Sequence, residues 1–160
     1  MVAALLACAP ASAADISGWA VRAVTYRGAV APLIAAAERG DARAQAKLGF
    51  LYATGRNVPQ NNTLACYWYR RGAEQGNPVA QHLLGLMYDK GMGVATDHVA
   101  AHIWLNLAAA RTKGAEHEDN VRLRDAVAAK MSLGQLYDAQ YLAQTWAPKP
   151  EGVVLVPAPR

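Results

Sequence analysis

The chain has 160 residues, a formal charge of +4 and a pI near 9.2, and it is 53% hydrophobic but only 8% aromatic. Alanine inflates the hydrophobic share, and no stretch reaches the ~18 consecutive apolar residues of a membrane span. Charged residues make up 18% and are scattered, densest at Arg70-Arg71 and Arg122/Arg124. A nucleic-acid partner is therefore not expected, because such a surface gathers Lys and Arg on one face with aromatics between them. The length allows one domain or a short solenoid.

Residues 1–14 read as a processing signal. Val2 to Ala9 is a short apolar run, and Pro10-Ala11-Ser12-Ala13-Ala14-Asp15 supplies the small-x-small pattern of a secretory cleavage site. Cleavage after Ala13 or Ala14 fits equally well and would place the protein in the periplasm or outside the cell. No Lys or Arg precedes the apolar run, so the signal peptide is read as incomplete at its N-terminus. Leu5-Leu6-Ala7-Cys8 offers a rival, a lipoprotein signal with Cys8 lipidated, but seven residues before the cysteine are too few for one unless residues are missing upstream. With the leader removed, Cys66 is the only cysteine left, expected to be buried as a small hydrophobe.

Residues 15–41 form a lead-in and a degenerate half-repeat. Asp15 to Val24 has no clear period. A helix is expected from Tyr26 to Arg39, either kinked at Pro32 or beginning near it with the proline in its first turn. Gly40-Asp41 then punctuates the chain: glycine can take the left-handed conformation that closes a helix, and aspartate can cap the next. Gly76-Asn77-Pro78 repeats the device.

Between these marks the chain says one phrase twice. Leu48-Gly49-Phe50-Leu51-Tyr52-Ala53-Thr54-Gly55 returns as Leu84-Gly85-Leu86-Met87-Tyr88-Asp89-Lys90-Gly91, an offset of 36 that also relates Val58 to Val94, Ala65 to Ala101 and Trp68 to Trp104. Residues 42–76 and 78–112 share 10 identities in 35 ungapped positions, the mark of stacked repeats. Repeat 1 spans 42–77 and repeat 2 spans 78–113. Each should hold two helices, 42–54 with 61–74 and 78–90 with 97–110, with Asn61 and Asp97 as caps. Ala44, Leu48, Leu51 and Tyr52 share a helical face, as do Ala80, Leu84, Met87 and Tyr88. Gly49 and Gly85 sit mid-helix, where glycine costs up to ~1 kcal/mol against alanine, so they are expected at close helix–helix contacts. Trp68 and Trp104 should fill the space between hairpins.

After Ala110 the signature fails, since Asn120 and Val121 stand where Leu and Gly should recur. Residues 114–146 are read as C-terminal capping helices with a polar outer face. The first has Leu123, Val127 and Met131 inward. Ser132 and Gln135 form a capping box for the second, which turns Leu136, Ala139, Leu142, Ala143 and Trp146 inward. Residues 147–160 are a proline-rich tail without helix, read as disordered, although Val153 to Val156 could pair as a strand with a partner.

These residues resemble the Sel-one-like repeat (SLR) family, a tetratricopeptide-like α/α solenoid. Its pattern A-x-x-x-LG-x-x-Y-x-x-G-x-GV, then A-x-x-W and A-A-E-x-G, is similar to Ala44…Tyr52…Gly55…Val58…Ala65…Trp68…Ala73-Glu74-Gln75-Gly76, and again to Ala80…Tyr88…Gly91…Gly93-Val94…Ala101…Trp104. Asn57 departs from it at the second turn glycine. The resemblance implies an all-α, right-handed solenoid of stacked helix hairpins, with a degenerate N-terminal half-repeat and a helical C-terminal cap. It also implies a protein-interaction scaffold with no common catalytic residues and no cofactor. The partner would be an unknown protein or peptide, and exposed solenoid ends leave room for homo-association.

Stacked hairpins make a groove lined by first helices, and the outward positions there differ between repeats: Arg43/Val79, Ala46/His82, Lys47/Leu83, Phe50/Leu86. Arg43, Lys47, Phe50, His82 and Leu86 are the candidate binding residues of a non-catalytic adaptor or regulator. His98 and His102 lie four apart on a helix, a spacing that can serve a metal, but no third ligand converges and no metal is expected. Cys66 lies beside Ala65 on a buried helix face, unsuited to a reactive thiolate. The alternative is a small enzyme or ligand-binding protein akin to the cysteine-rich, β-lactam-handling members of the family. The chain lacks the paired cysteines of those relatives.

Overall fold

The computed structural model describes residues 30–149, which form seven α-helices and no strand. They are α1 (Ala31–Glu38), α2 (Ala42–Thr54), α3 (Asn62–Glu74), α4 (Pro78–Lys90), α5 (His98–Ala109), α6 (Gly114–Ala128) and α7 (Leu133–Thr145). The expected signal peptide, the lead-in through Ala29 and the tail from Pro150 lie outside the described residues.

The helix boundaries follow from the caps. Asp41 accepts from the Arg43 and Ala44 N–H groups at 2.8 and 3.0 Å, Asn61 from Leu64, Asn77 from Ala80 and Asp97 from Ala100. Each such cap is worth ~1 kcal/mol. Of the two readings at Pro32, the structure takes the second: α1 starts at Ala31, with the proline in its first turn. The hairpin turns show why Asn57 is tolerated. It takes φ 60°, matching Gly93 at φ 72°, in the left-handed region that asparagine visits more readily than most residues.

Within repeats the two mid-helix glycines are contact points, and side chains fill the space they leave. A Cβ on Gly49 would fall 2.6 Å from the Tyr69 ring, and one on Gly85 would fall 2.8 Å from Leu105 Cγ. Leu48, Leu84, Trp68, Trp104, Tyr69 and Tyr88 fill the core around them, each no more than 2% exposed.

Between repeats a buried glutamine acts as a hook. Gln45 Nε2 donates to the Ala37 carbonyl near the end of α1, and Gln81 Nε2 donates to the Ala73 carbonyl near the end of α3, at 3.0 and 3.1 Å. Both glutamines are fully buried. Gln75 Nε2 completes the first hook by donating to Gln45 Oε1 at 2.7 Å. In the second repeat Arg111 holds the place of Gln75 but turns away, donating to the Leu107 carbonyl and covering the Trp146 ring. Gln81 Oε1 is left without a hydrogen bond.

The helices keep the step of 36 that the residues abandon after Ala110, for α2, α4 and α6 begin at Ala42, Pro78 and Gly114. The hook persists too, with a different residue in it. His117 Nδ1 stands 2.9 Å from the Ala109 carbonyl, the same register as Gln45 and Gln81. What changes is the packing inside the third hairpin. Val121 replaces the contact glycine, Asn120 replaces the core leucine, and Ala139 comes where the tryptophan would fall on a helix starting one residue early. Without the glycine notch and the tryptophan, α6 and α7 barely touch, and each packs on α5 instead.

Trp146 closes this end, its ring edge-on to Trp104 at 6.1 Å, and the Lys149 N–H donates to the Glu74 carbonyl at 2.8 Å. The Ser132–Gln135 capping box is present, and Ala139, Ala143 and Val127 are buried. The outer face of α6 is polar as expected, whereas that of α7 is mixed, with Leu133, Tyr137 and Tyr141 in solvent beside Gln135, Asp138, Gln140 and Gln144. Cys66 is fully buried as expected, but in the 160-residue chain it is disulfide-bonded, so it is not a free thiol there.

Candidate functional site

The five candidate groove residues divide into two groups. Arg43, Lys47 and Phe50 are exposed on α2, and the Arg56 guanidinium lies over the Phe50 ring at 5.6 Å. Neither Arg43 nor Lys47 has an ion-pair partner among the described residues. The α4 positions are more enclosed. Leu86 is half-buried, and His82 is drawn toward the next first helix, its Nδ1 2.7 Å from Asn120 Oδ1. Asn120 is itself 3% exposed, and its amide donates to the Glu116 carbonyl and to Thr112 Oγ1. His82 thus belongs to a polar joint between repeat 2 and the third hairpin. Two neighbouring positions also prove inward: Ala46 is buried and Leu83 packs on the core. Helical spacing tells which residues share a face but not whether the adjacent first helix covers it.

The two histidines of α5 serve different neighbours. His98 Nε2 lies 3.9 Å from Asp89 Oδ1, at the end of α4. The Asp89 side chain is only 7% exposed and is gripped by Lys130, beyond α6, and by Lys90 at 3.1 Å. Burial acts to raise the Asp89 pKa, but the hydrogen bonds and charges of Lys130 and Lys90 prevail and hold it below the ordinary carboxylate range. This pair ties the second repeat to the third.

His102, one turn further on, is 3% exposed and has no hydrogen bond at Nδ1. Burial lowers its pKa and the Arg124 charge adds to that, against a smaller opposite pull from Asp125, so the ring is held neutral. It lines a cleft of about 250 Å³ where α6 and α7 diverge over α5, together with Asn106, Arg124, Ala128, Leu136 and Gln140. Arg124 is already engaged, donating to Asp125 at 2.7 Å and to Asn106 Oδ1 at 3.2 Å. Sequence reasoning did not anticipate this cleft. Its signal was the loss of glycine and tryptophan in the third hairpin, which becomes legible once the helices are known to stay in register.

A Sel1 repeat model matches residues 42–77 and 78–112. Among solved structures, a Sel1 repeat protein from Oxalobacter formigenes is 48% identical over 58% of this chain and 68% of its own, with a TM-score of 0.53. A protective antigen of uropathogenic Escherichia coli displaying an SLR fold is 32% identical over 74% of this chain, with a TM-score of 0.67. The chain spans only 25% of that antigen's length. The comparison with curated proteins gives no match. Two in-register repeats, the packing that explains their shared residues and these likenesses together place the chain in the Sel1 repeat family.

Proposed function

We propose that this protein is a non-catalytic interaction module, an adaptor or regulator exported to the bacterial periplasm, and that it holds its partner on the exposed face of α2. The observation that carries this reading is the patch of Arg43, Lys47 and Phe50. Two cations without ion-pair partners among the described residues precede, on the same helix, an aromatic ring left 39% exposed. That chemistry suits a peptide segment that alternates acidic and apolar side chains. The patch is short, so affinity from it alone is modest. Pull-down from a periplasmic extract with the native chain and with Lys47→Glu plus Phe50→Ala tests it. The expected result is a partner held by the native chain and lost by the variant. A partner retained by the variant would refute α2 as the docking face.

Export is inferred from residues 1–14. Cleavage after Ala13 or Ala14 would remove Cys8, the chain's other cysteine. The intact mass of the purified chain reads this directly. A chain beginning at Ala14 or Asp15 is expected. A full-length chain would overturn the cleaved leader.

A further inference from the structure

The last helix presents to solvent a face that its counterpart in the preceding repeat keeps at least half-buried. On α5 the corresponding stripe is His98, His102 and Asn106, of which His102 is buried and the other two half-buried, with His102 and Asn106 lining the α5–α6–α7 cleft. On α7 that stripe is Leu133, Tyr137 and Tyr141, respectively 86%, 70% and 58% exposed. The more enclosed stripe is polar and the open one is apolar, the reverse of a solubilising solenoid cap. The three residues stand four apart along one helix face, and α7 has a single charged side chain, Asp138.

We propose that this stripe is a self-association surface, on which α7 of a second copy packs antiparallel across a twofold axis at Tyr137. The stripe is symmetric about that residue, with one large apolar side chain four positions to either side. A twofold therefore sets Tyr137 against the partner's Tyr137, and Leu133 against the partner's Tyr141, with no register left over. Low charge on α7 removes the like-charge repulsion that most exposed helices would meet in such a pairing. At ~150–250 Å² for a fully buried aromatic, the three side chains offer roughly 400 Å² per copy, about half of a standard interface. The dimer is accordingly weak and concentration-dependent. It leaves the α2 patch free and does not depend on the function proposed for it.

Sedimentation of the full chain over a concentration series tests this, beside Tyr137→Glu, whose helical circular dichroism should be unchanged at so exposed a site. The native chain is expected to shift reversibly from monomer to dimer, and Tyr137→Glu to weaken that by roughly tenfold or more. Under mild oxidation, with crosslinks located by peptide mapping, Tyr137→Cys should join to itself through position 137. Leu133→Cys should join to Tyr141→Cys in a mixture but not to itself. A chain monomeric throughout, or a dimer indifferent to Tyr137→Glu, would overturn the proposal. So would a monomer that dimerises only when residues 150–160 are deleted, because the chain's own tail would then be the cover.

Discussion

Replacing Gly49 by alanine would set a methyl carbon 2.6 Å from Cδ1 and 2.7 Å from Cε1 of Tyr69, a ring only 1% exposed and hemmed in by core. Favourable carbon contacts lie at ~3.5–4.0 Å, so ring or helix must shift. Forcing extra volume into a packed core costs ~1–3 kcal/mol, and an approach this close belongs in the upper half of that range. Against it, alanine is favoured over glycine in a helix by up to ~1 kcal/mol. The net expectation is a loss of about 1–2 kcal/mol, which lowers Tm by roughly 3–6 °C in a chain of this size. Thermal and urea unfolding followed by circular dichroism measure it. Gly134→Ala is the control, since nothing lies within 4 Å of a Cβ there, and it should be neutral or slightly stabilising. In a Tyr69→Ala background the sign of Gly49→Ala should reverse. Additive effects in that cycle, or a Gly49→Ala chain as stable as the native one, would refute the steric account.

Gly93→Ala should cost ~3 kcal/mol or more, because φ is 72° and the new methyl would run into the Asn62 backbone, which cannot move aside as a side chain can. At the matching turn position Asn57→Ala should cost only ~1 kcal/mol, with Asn57→Gly near neutral, and the same unfolding assay ranks all three. Asp89→Asn should lose ~1–2 kcal/mol at neutral pH. Its folded pKa is depressed, so this contribution is present above the unfolded carboxylate value of ~3.9 and disappears as pH falls through the folded one, where native and variant curves should converge. His102 should titrate in an NMR experiment below the ~6.5 of a free imidazole, and a midpoint at or above that value would contradict its burial.

The helices of repeats 1 and 2 were legible because short-range chemistry sets their limits. Asp41, Asn61, Asn77 and Asp97 cap where they were expected to, and helical starts differ from expectation only by counting the cap residue in or out. The third hairpin was legible as two helices but not as a repeat. Its place is held by the His117 hook and the Asn120–His82 joint, and neither resembles the glutamine or leucine it replaces. Of the candidate groove, Arg43, Lys47 and Phe50 are exposed, while His82 is drawn to Asn120, a contact that helical spacing does not reveal because the two are 38 residues apart. The open stripe of α7 was visible as a four-residue period. Leu136, Ala139 and Ala143 on the opposite face give the same helix its core side, so spacing alone does not say that the second apolar stripe is uncovered.

The hooks at Gln45, Gln81 and His117 all reach backward, each to a carbonyl near the end of the helix before it. None needs anything that follows in the chain, apart from Gln75 supporting the first. Each hairpin is therefore fastened to something already made when it emerges from the ribosome, and a growing chain waits for a later segment only to pair Gln45 Oε1 with Gln75. Loss is directional in the same way. Trimming from the C-terminus removes hooks together with the hairpins that bear them, whereas trimming away α1 strands Gln45 Nε2 inside the protein without its acceptor.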